Sequence, residues 1–460
     1  MHSLGENIDD FVLLFNNSME AALESLEDTK TKLEILKKNN TVDAGAQGFI
    51  YFIEGMKEYL ANPKENEMFF EEVAVTKEIL DEEELEKEEF IIPLEELDYR
   101  YCTEVYLISD SSTDEIKNDL HDKGDSLIVA SSSNKIRIHI HSNEPAEIVN
   151  YLLTKGKIID QKVDDMQRQA EMHYKKKNDI ALVTDSIADL PQKIIDKYQI
   201  HVIPLNIVID EVNYYDKLTI KPDYLYEYIE KAENFPSSSQ PTVSYIYNRL
   251  EEIASYYDDI LVISVSEALS GTGKAFKTAI KKLKEKKDLN ISYLNSKLNS
   301  GTQGLLVEKA AELIEKGLSL KEINEELEDY RKNSNILVNV NTIEYMVKGG
   351  RVSAMKGFLA RIFNLKAIIS LDENGDGIIW DKAFSRKGVK KKILNEIKRI
   401  NKNNKIEKYC VVHAGAKEKA VELSNKLKNI LGYEAEYIVE ISSITTLNSG
   451  KNAVAVSYLS

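Results

Sequence analysis

The spacing of apolar residues divides the chain into helical, polar and strand-rich segments. In residues 4–62, apolar side chains recur every three or four positions, as on one face of a helix, and a turn at residues 41–45 separates two such stretches. Two or three amphipathic helices bury little surface on their own. The pattern therefore predicts a helical bundle fragment over residues 1–63, whose remaining helices are absent, swapped or supplied by another chain, as in a homodimer.

Short apolar runs and amphipathic stretches alternate between residues 99 and 172. The order is strand VYLI, a helix over residues 111–123, strands SLIVA and KIRIHIH, a helix over residues 144–155 and strand KIIDQKV. This βαββαβ order is typical of a small α+β sandwich of the ferredoxin-like type.

Strands and helices also alternate from residue 178 to the end. Runs such as DILVISVS and YCVVHAG are almost continuously apolar, which is typical of a parallel sheet covered on both faces. We expect an α/β domain of two lobes, residues 178–334 and 335–460. The whole chain is then α/β, with the α+β sandwich and the helical fragment before the two-lobed domain.

The distribution of charge indicates a linker between the helical fragment and the small sandwich. The chain of 460 residues has a net charge of −17, but residues 65–98 hold 15 acids and 2 bases, so the remainder carries only −4. Residues 64–98 are predicted to be a solvated acidic linker, with docking of a basic partner as the alternative. The acidic balance argues against nucleic acid as a partner.

Composition also indicates the compartment. No apolar run is long enough to span a membrane, and the N-terminus has no secretion signal. Cys102 and Cys410 lie far apart in the sequence, which does not suggest a disulfide framework. We expect a cytoplasmic protein.

Three loops that follow predicted strands are rich in hydroxyl groups. Helix N-termini at the carboxyl ends of strands bind anions, and hydroxyls add neutral donors, so these loops predict a carboxylate or phosphate site. The alternative is that the hydroxyls only cap helices. His413 ends a strand and can reach this pocket, but no Ser–His–Asp triad is visible, so we do not expect hydrolysis. The loop residues are Thr184, Asp185, Ser186, Ser238, Ser239, Gln240, Ser270, Gly271 and Thr272.

Two further groups of residues suggest metal binding. His139 and His141 lie two positions apart on one strand and share a face, and Cys102 starts an earlier strand, so the three predict a zinc site, unless the histidines are ordinary strand residues. Residues 372–377 begin like a calcium loop. However, Ala383 stands where the loop needs a glutamate, so we favour a β-hairpin whose turn uses Gly377.

Several motifs in order resemble the DegV family: VTDSIADLP (183–191), VIPLNIVID with Tyr214 and Asp216 after it, SSQP (238–241), LSGT (269–272), IEYMVKGGRVS (343–353) and the LKAII segment around Lys366. The resemblance implies that two lobes enclose a long-chain fatty acid, with the acyl chain in a tunnel and no cofactor needed.

The same resemblance assigns roles to individual residues. Ser238 and Ser270 would donate hydrogen bonds to the carboxylate, residues 184–186 would shape the entrance, and Arg351 would tie the lobes together. The family's closing His-x-Gly-Pro-Gly turn is replaced here by residues 448–452, in which Asn448 can still donate a hydrogen bond.

The first half resembles a different system. Residues 41–55 resemble the end of the dihydroxyacetone-kinase-like (DhaL/DAK2) helical domain, and residues 99–172 resemble the middle domain of bacterial fatty acid kinases, in which the Cys102, His139 and His141 positions bind a metal. In that system a kinase subunit phosphorylates a fatty acid held on a DegV-type carrier. Residues 1–40 lack the aspartate-rich magnesium loop, so we do not expect this chain to be an enzyme.

The sequence leaves three hypotheses about function. The first is a fatty acid carrier for acyl phosphorylation, whose partner is a kinase subunit. The second is a ligand-free regulatory or scaffold protein of the same system. The third is an active kinase whose upstream part is missing from this sequence.

Overall fold

The computed structural model describes residues 11–32, 37, 42–61, 91–231, 234–350 and 366–460. The chain forms two compact units, Met1–Phe90 and Ile91–Ser460, which we describe separately. None of the helices in these described segments is long and apolar enough to cross a membrane.

The described residues of the first unit form two helices, α1 (Phe11–Lys32) and α2 (Ala44–Ala61). They pack through Met19, Leu26 and Ile50, which are buried. The Asp43 carboxylate accepts a hydrogen bond from the Ala46 N–H at 2.7 Å, so it caps the start of α2. The predicted helical pattern is therefore seen as a helix pair.

The second unit begins with a four-stranded antiparallel sheet in the order β2-β3-β1-β4. Burial alternates along β3, as expected for a sheet with one covered face. The predicted βαββαβ order is present, and a further helix follows it. The elements are β1 (Tyr101–Ile108), α3 (Thr113–Leu120), β2 (Asp125–Ser132), β3 (Lys135–Ser142), α4 (Pro145–Leu153), β4 (Lys157–Asp165) and α5 (Met166–Tyr174).

The first lobe, residues 178–334, is built on a parallel sheet in the order β11-β10-β5-β6, with a small antiparallel sheet β8-β7-β9 beside it. Its strands are β5 (Ile180–Asp185), β6 (His201–Ile203), β7 (Asn206–Ile209), β8 (Val212–Tyr215), β9 (Ser237–Ser239), β10 (Asp259–Ser264) and β11 (Asn290–Asn295). Its helices are α6 (Gln192–Lys197), α7 (Pro222–Lys231), α8 (Val243–Ile253), α9 (Thr272–Lys284), α10 (Ser300–Glu315) and α11 (Leu320–Asn333).

The second lobe, residues 335–460, has a six-stranded sheet in the order β14-β13-β12-β17-β15-β16. Its strands are β12 (Asn335–Asn339), β13 (Lys366–Leu371), β14 (Gly377–Ala383), β15 (Lys408–His413), β16 (Ile438–Glu440) and β17 (Val454–Leu459). Its helices are α12 (Glu344–Lys348), α13 (Arg386–Asn403), α14 (Lys417–Leu431) and α15 (Ser443–Ser449).

The prediction of a parallel sheet is wrong for most of the second lobe. The YCVVHAG strand, β15, pairs antiparallel with β17 and parallel only with the short β16. All six residues of β15 are buried. Its apolar sequence therefore reflects coverage of both faces of the sheet and not the direction of its neighbours.

Helix α10 joins the two lobes into one core. Its residues Leu305 and Leu306 share a buried cluster with Leu261 of the first sheet and Val412 of the second. A Cβ atom on Gly301 would lie 2.7 Å from Cys410 Sγ, so a glycine is needed where α10 meets β15. The helix is buried along nearly its whole length.

Two buried aspartates of the first lobe cap helix α15 of the second. Asp189 accepts the Ser442 N–H at 2.8 Å, and Asp216 accepts the Ser443 N–H at 2.9 Å. Free N–H groups at a helix start need such acceptors. These contacts tie the lobes together, whereas Arg351, which was predicted to do so, lies outside the described residues.

Residues 372–377 form the predicted hairpin between β13 and β14. The Asp372 carboxylate accepts the N–H groups of Asn374 and Asp376, each at 2.9 Å, so it is occupied by its own loop. The residue with positive φ is Gly375, at +87°, and not Gly377, which begins β14. The Gly375 carbonyl accepts a hydrogen bond from Ser266 of the first lobe at 3.0 Å.

Candidate functional site

A cavity with a polar rim opens between the two lobes. Five predicted residues line it: Ser238, Ser239, Gln240, Ser270 and Asn448. Second-lobe residues, including Ile369 and Ile444, form part of the apolar wall. The empty volume is about 810 Å³, part of which is open to solvent. We call this cavity the mouth.

A second cavity adjoins the mouth and extends into the second lobe. The two share Met346, Ile369 and Leu371, among other residues, as lining. Farther in, the wall is largely apolar, with Val338 and Val412 as examples, and the empty volume is about 520 Å³. We call it the inner cavity. A polar opening that leads into an apolar interior suits an amphipathic ligand.

Ser270 and its neighbours sit where α9 begins. Ser270 Oγ lies 2.8 Å from Thr272 Oγ1 and accepts the Thr272 N–H at 3.2 Å. A Cβ atom on Gly271 would collide with the Gln240 side chain, so glycine allows Gln240 to lie against this turn. Thr272 is fully buried. The sequence-predicted loops containing Ser238 and Ser270 are therefore brought together.

The expectation that residues 184–186 shape the entrance directly needs correction. All three are buried, and none lines the mouth or the inner cavity. Thr184 Oγ1 donates to the Ile263 carbonyl at 2.8 Å, and Ser186 Oγ donates to the Asp216 carboxylate at 2.7 Å. Their side chains are hydrogen-bonded within the first lobe and lie behind the cavity wall.

Asp185 supports that wall from behind. Its carboxylate accepts the Val265 N–H at 2.7 Å and the Ile187 N–H at 3.1 Å, and both of these residues line the mouth. Gln303 also donates to it, at 3.0 Å. Burial raises the pKa of Asp185 to about 6, although these donors oppose the shift.

His413 lines the inner cavity and not the mouth. Its Nδ1 accepts the Ala416 N–H at 3.4 Å, so Nε2 carries the proton of the neutral ring. Burial lowers the pKa of His413, which keeps the imidazole neutral at pH 7. It therefore offers the inner cavity a neutral N–H donor.

Asn448, another of the predicted site residues, lines both cavities. Its Nδ2 donates to the Ile444 carbonyl at 3.0 Å, within α15. A Cβ atom on Gly349 would collide with Asn448 Oδ1, so this glycine leaves room for the amide.

Asn299 also lines both cavities and was missed by the sequence reasoning. It directly precedes α10, whose first residue, Ser300, has a positive φ of +50°. Asn299 follows the strand ISYLN, so the same signal that identified the hydroxyl loops, polar residues after a strand, could have found it.

The candidate metal residues meet on the exposed face of the small sandwich. Candidate ligand atoms of Cys102, His139 and His141 all lie within 4.8 Å of one another. Cys102 Sγ is 3.7 Å from His139 Nδ1, and the Nε2 atoms of the two histidines are 3.2 Å apart. His141 Nδ1 lies 3.1 Å from the Asp125 carboxylate, a second contact that can orient the ring.

Burial shifts the pKa values of two of these groups. It lowers the pKa of His139, with His141 adding to the effect, and so favours the neutral ring that a metal requires. It raises the pKa of Cys102 to about 11, with Asp164 and Glu104 contributing in the same direction. One sulfur, two imidazole nitrogens and a supporting carboxylate form a donor set that fits zinc.

Comparison with known proteins gives two family matches. Residues 179–460 match the family described as "Uncharacterised protein, DegV family", and residues 98–173 match the family of fatty-acid-kinase-like middle domains. A DegV domain-containing protein of Clostridium acetobutylicum is 30% identical over 281 residues, which cover 60% of this chain and 97% of that protein. Protein DegV of Bacillus subtilis is 27% identical over 278 residues, or 60% and 98% of the two chains.

Solved structures agree with this assignment. A DegV family protein from Thermus thermophilus, described by its fatty acid binding, has a TM-score of 0.57 at 25% identity and covers 61% of this chain and 99% of its own. DegV from Bacillus subtilis, described as a fatty acid binding protein, has a TM-score of 0.57 at 26% identity and covers 62% and 99%.

Proposed function

This chain belongs to the DegV family through residues 179–460, and on that premise we propose that it binds one long-chain fatty acid between its two lobes. The observation that carries the proposal is the continuity between a hydroxyl-lined mouth and an apolar inner cavity. The fatty acid binding described for the Thermus and Bacillus relatives supports it.

The carboxylate would lie in the mouth beside Ser238 and Ser270, and the acyl chain would extend toward Val338 and Val412. Serine hydroxyls and the first N–H groups of α9 are neutral donors, which stabilise a carboxylate without a neighbouring cation. A head group held in this way stays at the opening, where a second protein can reach it.

Extraction of the purified protein followed by mass spectrometry tests the proposal. We expect a long-chain fatty acid in about equimolar amount, or uptake of added oleic acid after delipidation. A protein that is empty and takes up no fatty acid would contradict it. The cavities themselves favour a carrier over the ligand-free scaffold, since a scaffold has no need of an apolar interior.

The bound acid would be the substrate of a separate kinase subunit, and this chain would be a cytoplasmic carrier without kinase activity of its own. The match of residues 98–173 to a fatty acid kinase middle domain supports a place in that chemistry. Incubation with ATP and magnesium should give no acyl phosphate until a fatty acid kinase subunit is added. Acyl phosphate formed by this chain alone would contradict the proposal.

The helix pair of the first unit leads us to propose a homodimer. Phe49 and Phe52 are each 62% exposed on α2, and a second pair of helices would cover them. Light scattering at micromolar concentration should give twice the mass of the 52.3 kDa chain. A monomer at that concentration would contradict this part of the proposal.

We also propose that Cys102, His139 and His141 hold one zinc ion. Zinc would supply a cross-link between β1 and β3, and the three side chains would hold it on the exposed face of the sheet. Elemental analysis should find about one zinc per chain, and the Cys102→Ser variant should lose it. A metal-free protein that takes up no added zinc would contradict this assignment.

A further inference from the structure

The Asp189 carboxylate receives donors from three separate segments of the second unit, although this residue lines neither cavity. Its side chain is fully buried. Oδ2 accepts the Ser300 hydroxyl at 2.6 Å, and Oδ1 accepts the Ser442 N–H at 2.8 Å. Lys217 Nζ lies 3.0 Å from Oδ1 and balances the charge. One carboxylate therefore joins the first residue of α10, the residue before α15 and the loop after β8.

Two of these donors belong to residues with a strained backbone. Ser300 has a φ of +50° and Lys217 a φ of +67°, a region that residues with a side chain rarely adopt. Strain of this kind persists only where the surrounding contacts hold it, and it is concentrated around ligand sites. The Asp189 N–H also donates to the Ser300 carbonyl, at 3.4 Å. Side-chain and backbone contacts to Asp189 therefore hold the conformation of the residue at which α10 begins.

The two helix starts that Asp189 joins carry part of the wall that the cavities share. Asn299, which directly precedes α10, lines both the mouth and the inner cavity. Thr445 and Asn448 lie on α15 and also line both. Because Asp189 bonds to the first residue of α10 and to the residue before α15, loss of its carboxylate would release both parts of the wall.

We infer that Asp189 is a positioning residue for the bound fatty acid. It holds the starts of α10 and α15 in the relative position that the acyl chain requires, and it does so without touching the lipid. The inference rests on the proposed fatty acid binding. A wall that is ordered before the ligand arrives lowers the cost of binding and so raises affinity. The other buried aspartate that caps α15, Asp216, bonds to Ser443 and Ser186, and these hydrogen bonds do not involve α10.

Titration calorimetry of the delipidated full-length protein with oleic acid tests the inference. Asp189→Ala removes all the side-chain contacts and should raise the Kd of the folded protein by about tenfold or more. Ser319→Ala is the matched control, because it also removes a helix cap in the first lobe, that of α11, no residue of which lines either cavity. It should lower the free energy of unfolding in urea and leave Kd unchanged. If Asp189→Ala likewise loses stability but keeps its Kd, the inference is overturned and the proposed function stands.

Ser300→Ala separates positioning from direct contact, and it decides the question if Asp189→Ala does not fold. Ser300 lines the inner cavity, and an alanine there makes the wall more apolar. Contact with an acyl chain alone therefore predicts equal or tighter binding, whereas loss of the bond to Asp189 predicts a Kd roughly threefold higher. Equal or tighter binding by Ser300→Ala would overturn the inference. Failure of the unmodified protein to take up oleic acid would instead refute the proposed function itself.

Discussion

Ser270 is the side chain on which the proposed carboxylate site depends most directly. It lines the mouth, precedes α9 and shares a hydrogen bond with the Thr272 hydroxyl. Either hydroxyl can be the donor in that pair, so a rotation about the Cβ–Oγ bond frees the Ser270 proton for a ligand. The residue can therefore bind a carboxylate without any movement of the backbone.

Ser270→Ala should weaken fatty acid binding by about 1–2 kcal/mol, the usual loss for a hydrogen bond to a charged group, which is roughly five- to thirtyfold in Kd. Titration calorimetry with delipidated protein measures it. Ser255→Ala, on an exposed part of the first lobe, is the matched control and should leave Kd unchanged. Equal affinities for Ser270→Ala and the unmodified protein would place the carboxylate elsewhere.

Asp216 makes the stability of the fold depend on pH, because burial raises the pKa of its carboxyl from 3.8 to about 6. A carboxyl whose pKa is raised on folding binds more protons in the folded state. Its ionisation therefore destabilises the fold progressively as pH rises from about 4 to 6, by an amount on the order of 2–3 kcal/mol. Lys217 opposes the shift but does not reverse it.

Asp216→Asn should remove this contribution. The free energy of unfolding of the variant, measured against that of the unmodified protein, should improve between pH 4 and pH 6.5, as urea titrations at several pH values will show. Glu422→Gln is the control of opposite sign, since two lysines hold the pKa of that exposed carboxyl at about 2. Parallel pH profiles for Asp216→Asn and the unmodified protein would refute the raised pKa.

At the scale of elements, the β13–β14 hairpin connects the second lobe to the first through a single turn. Gly375 has a φ of +87°, and its carbonyl accepts the Ser266 hydroxyl. A Cβ atom there would collide with Ser266 Oγ and approach the Lys297 carbonyl at 2.8 Å. Both the backbone conformation and the close packing therefore require glycine.

Gly375→Ala should destabilise the protein by more than the approximately 1 kcal/mol that a positive φ alone costs an alanine. Gly432→Ala separates the two effects, because Gly432 has the same φ, +88°, but nothing near its Cβ position. Thermal unfolding should show a clearly larger loss for Gly375→Ala. Equal losses would mean that the turn does not pack against the first lobe.

The sequence predicted most of the helices and strands and the family. It did not predict features that depend on contacts between distant segments of the chain. The alternation in KIRIHIH and the βαββαβ order were readable because burial on one face leaves a period of two. The α/β class, the DegV resemblance and the resemblance of residues 99–172 to a fatty acid kinase middle domain are confirmed. The direction of β15 was not readable, since two-sided burial gives the same apolar run in parallel and antiparallel sheets.

Prediction of the site residues from the sequence has the same limit. The loops with Ser238 and Ser270 were found because polar residues follow strands, and both line the mouth. Residues 184–186 carry the same signal, yet they face the protein interior, which depends on partners such as Ile263 and Asp216 far along the chain. Local pattern identifies a strand end, but only the packing of the whole domain determines which side chains reach the cavity.

At the scale of the second unit, the small sandwich is joined to the first lobe by ion pairs. The Arg100 side chain, 12% exposed, bonds to Asp165 beside it and to Asp196 on α6, at 2.6 and 2.9 Å. Arg249 on α8 bonds to Asp164 at the end of β4, at 3.1 Å. Helix α8 begins shortly after the Ser238 loop, so the sandwich is anchored to an element that flanks the mouth.

This anchoring leads to a prediction about how the unit unfolds. Arg100→Ala removes the guanidinium partner of Asp165, whereas Asp196 keeps its ion pair with Arg168 at 3.1 Å, and breaking such a partly buried pair costs up to about 3 kcal/mol. We expect the residue 98–173 sandwich to unfold before the lobes, so that calorimetry resolves two transitions where the unmodified unit shows one. Arg137→Ala is the matched control, because Arg137 is 68% exposed and pairs with Glu104 inside the sandwich. A single, unshifted transition for Arg100→Ala would mean that apolar packing and not the ion pairs joins the sandwich to the lobe.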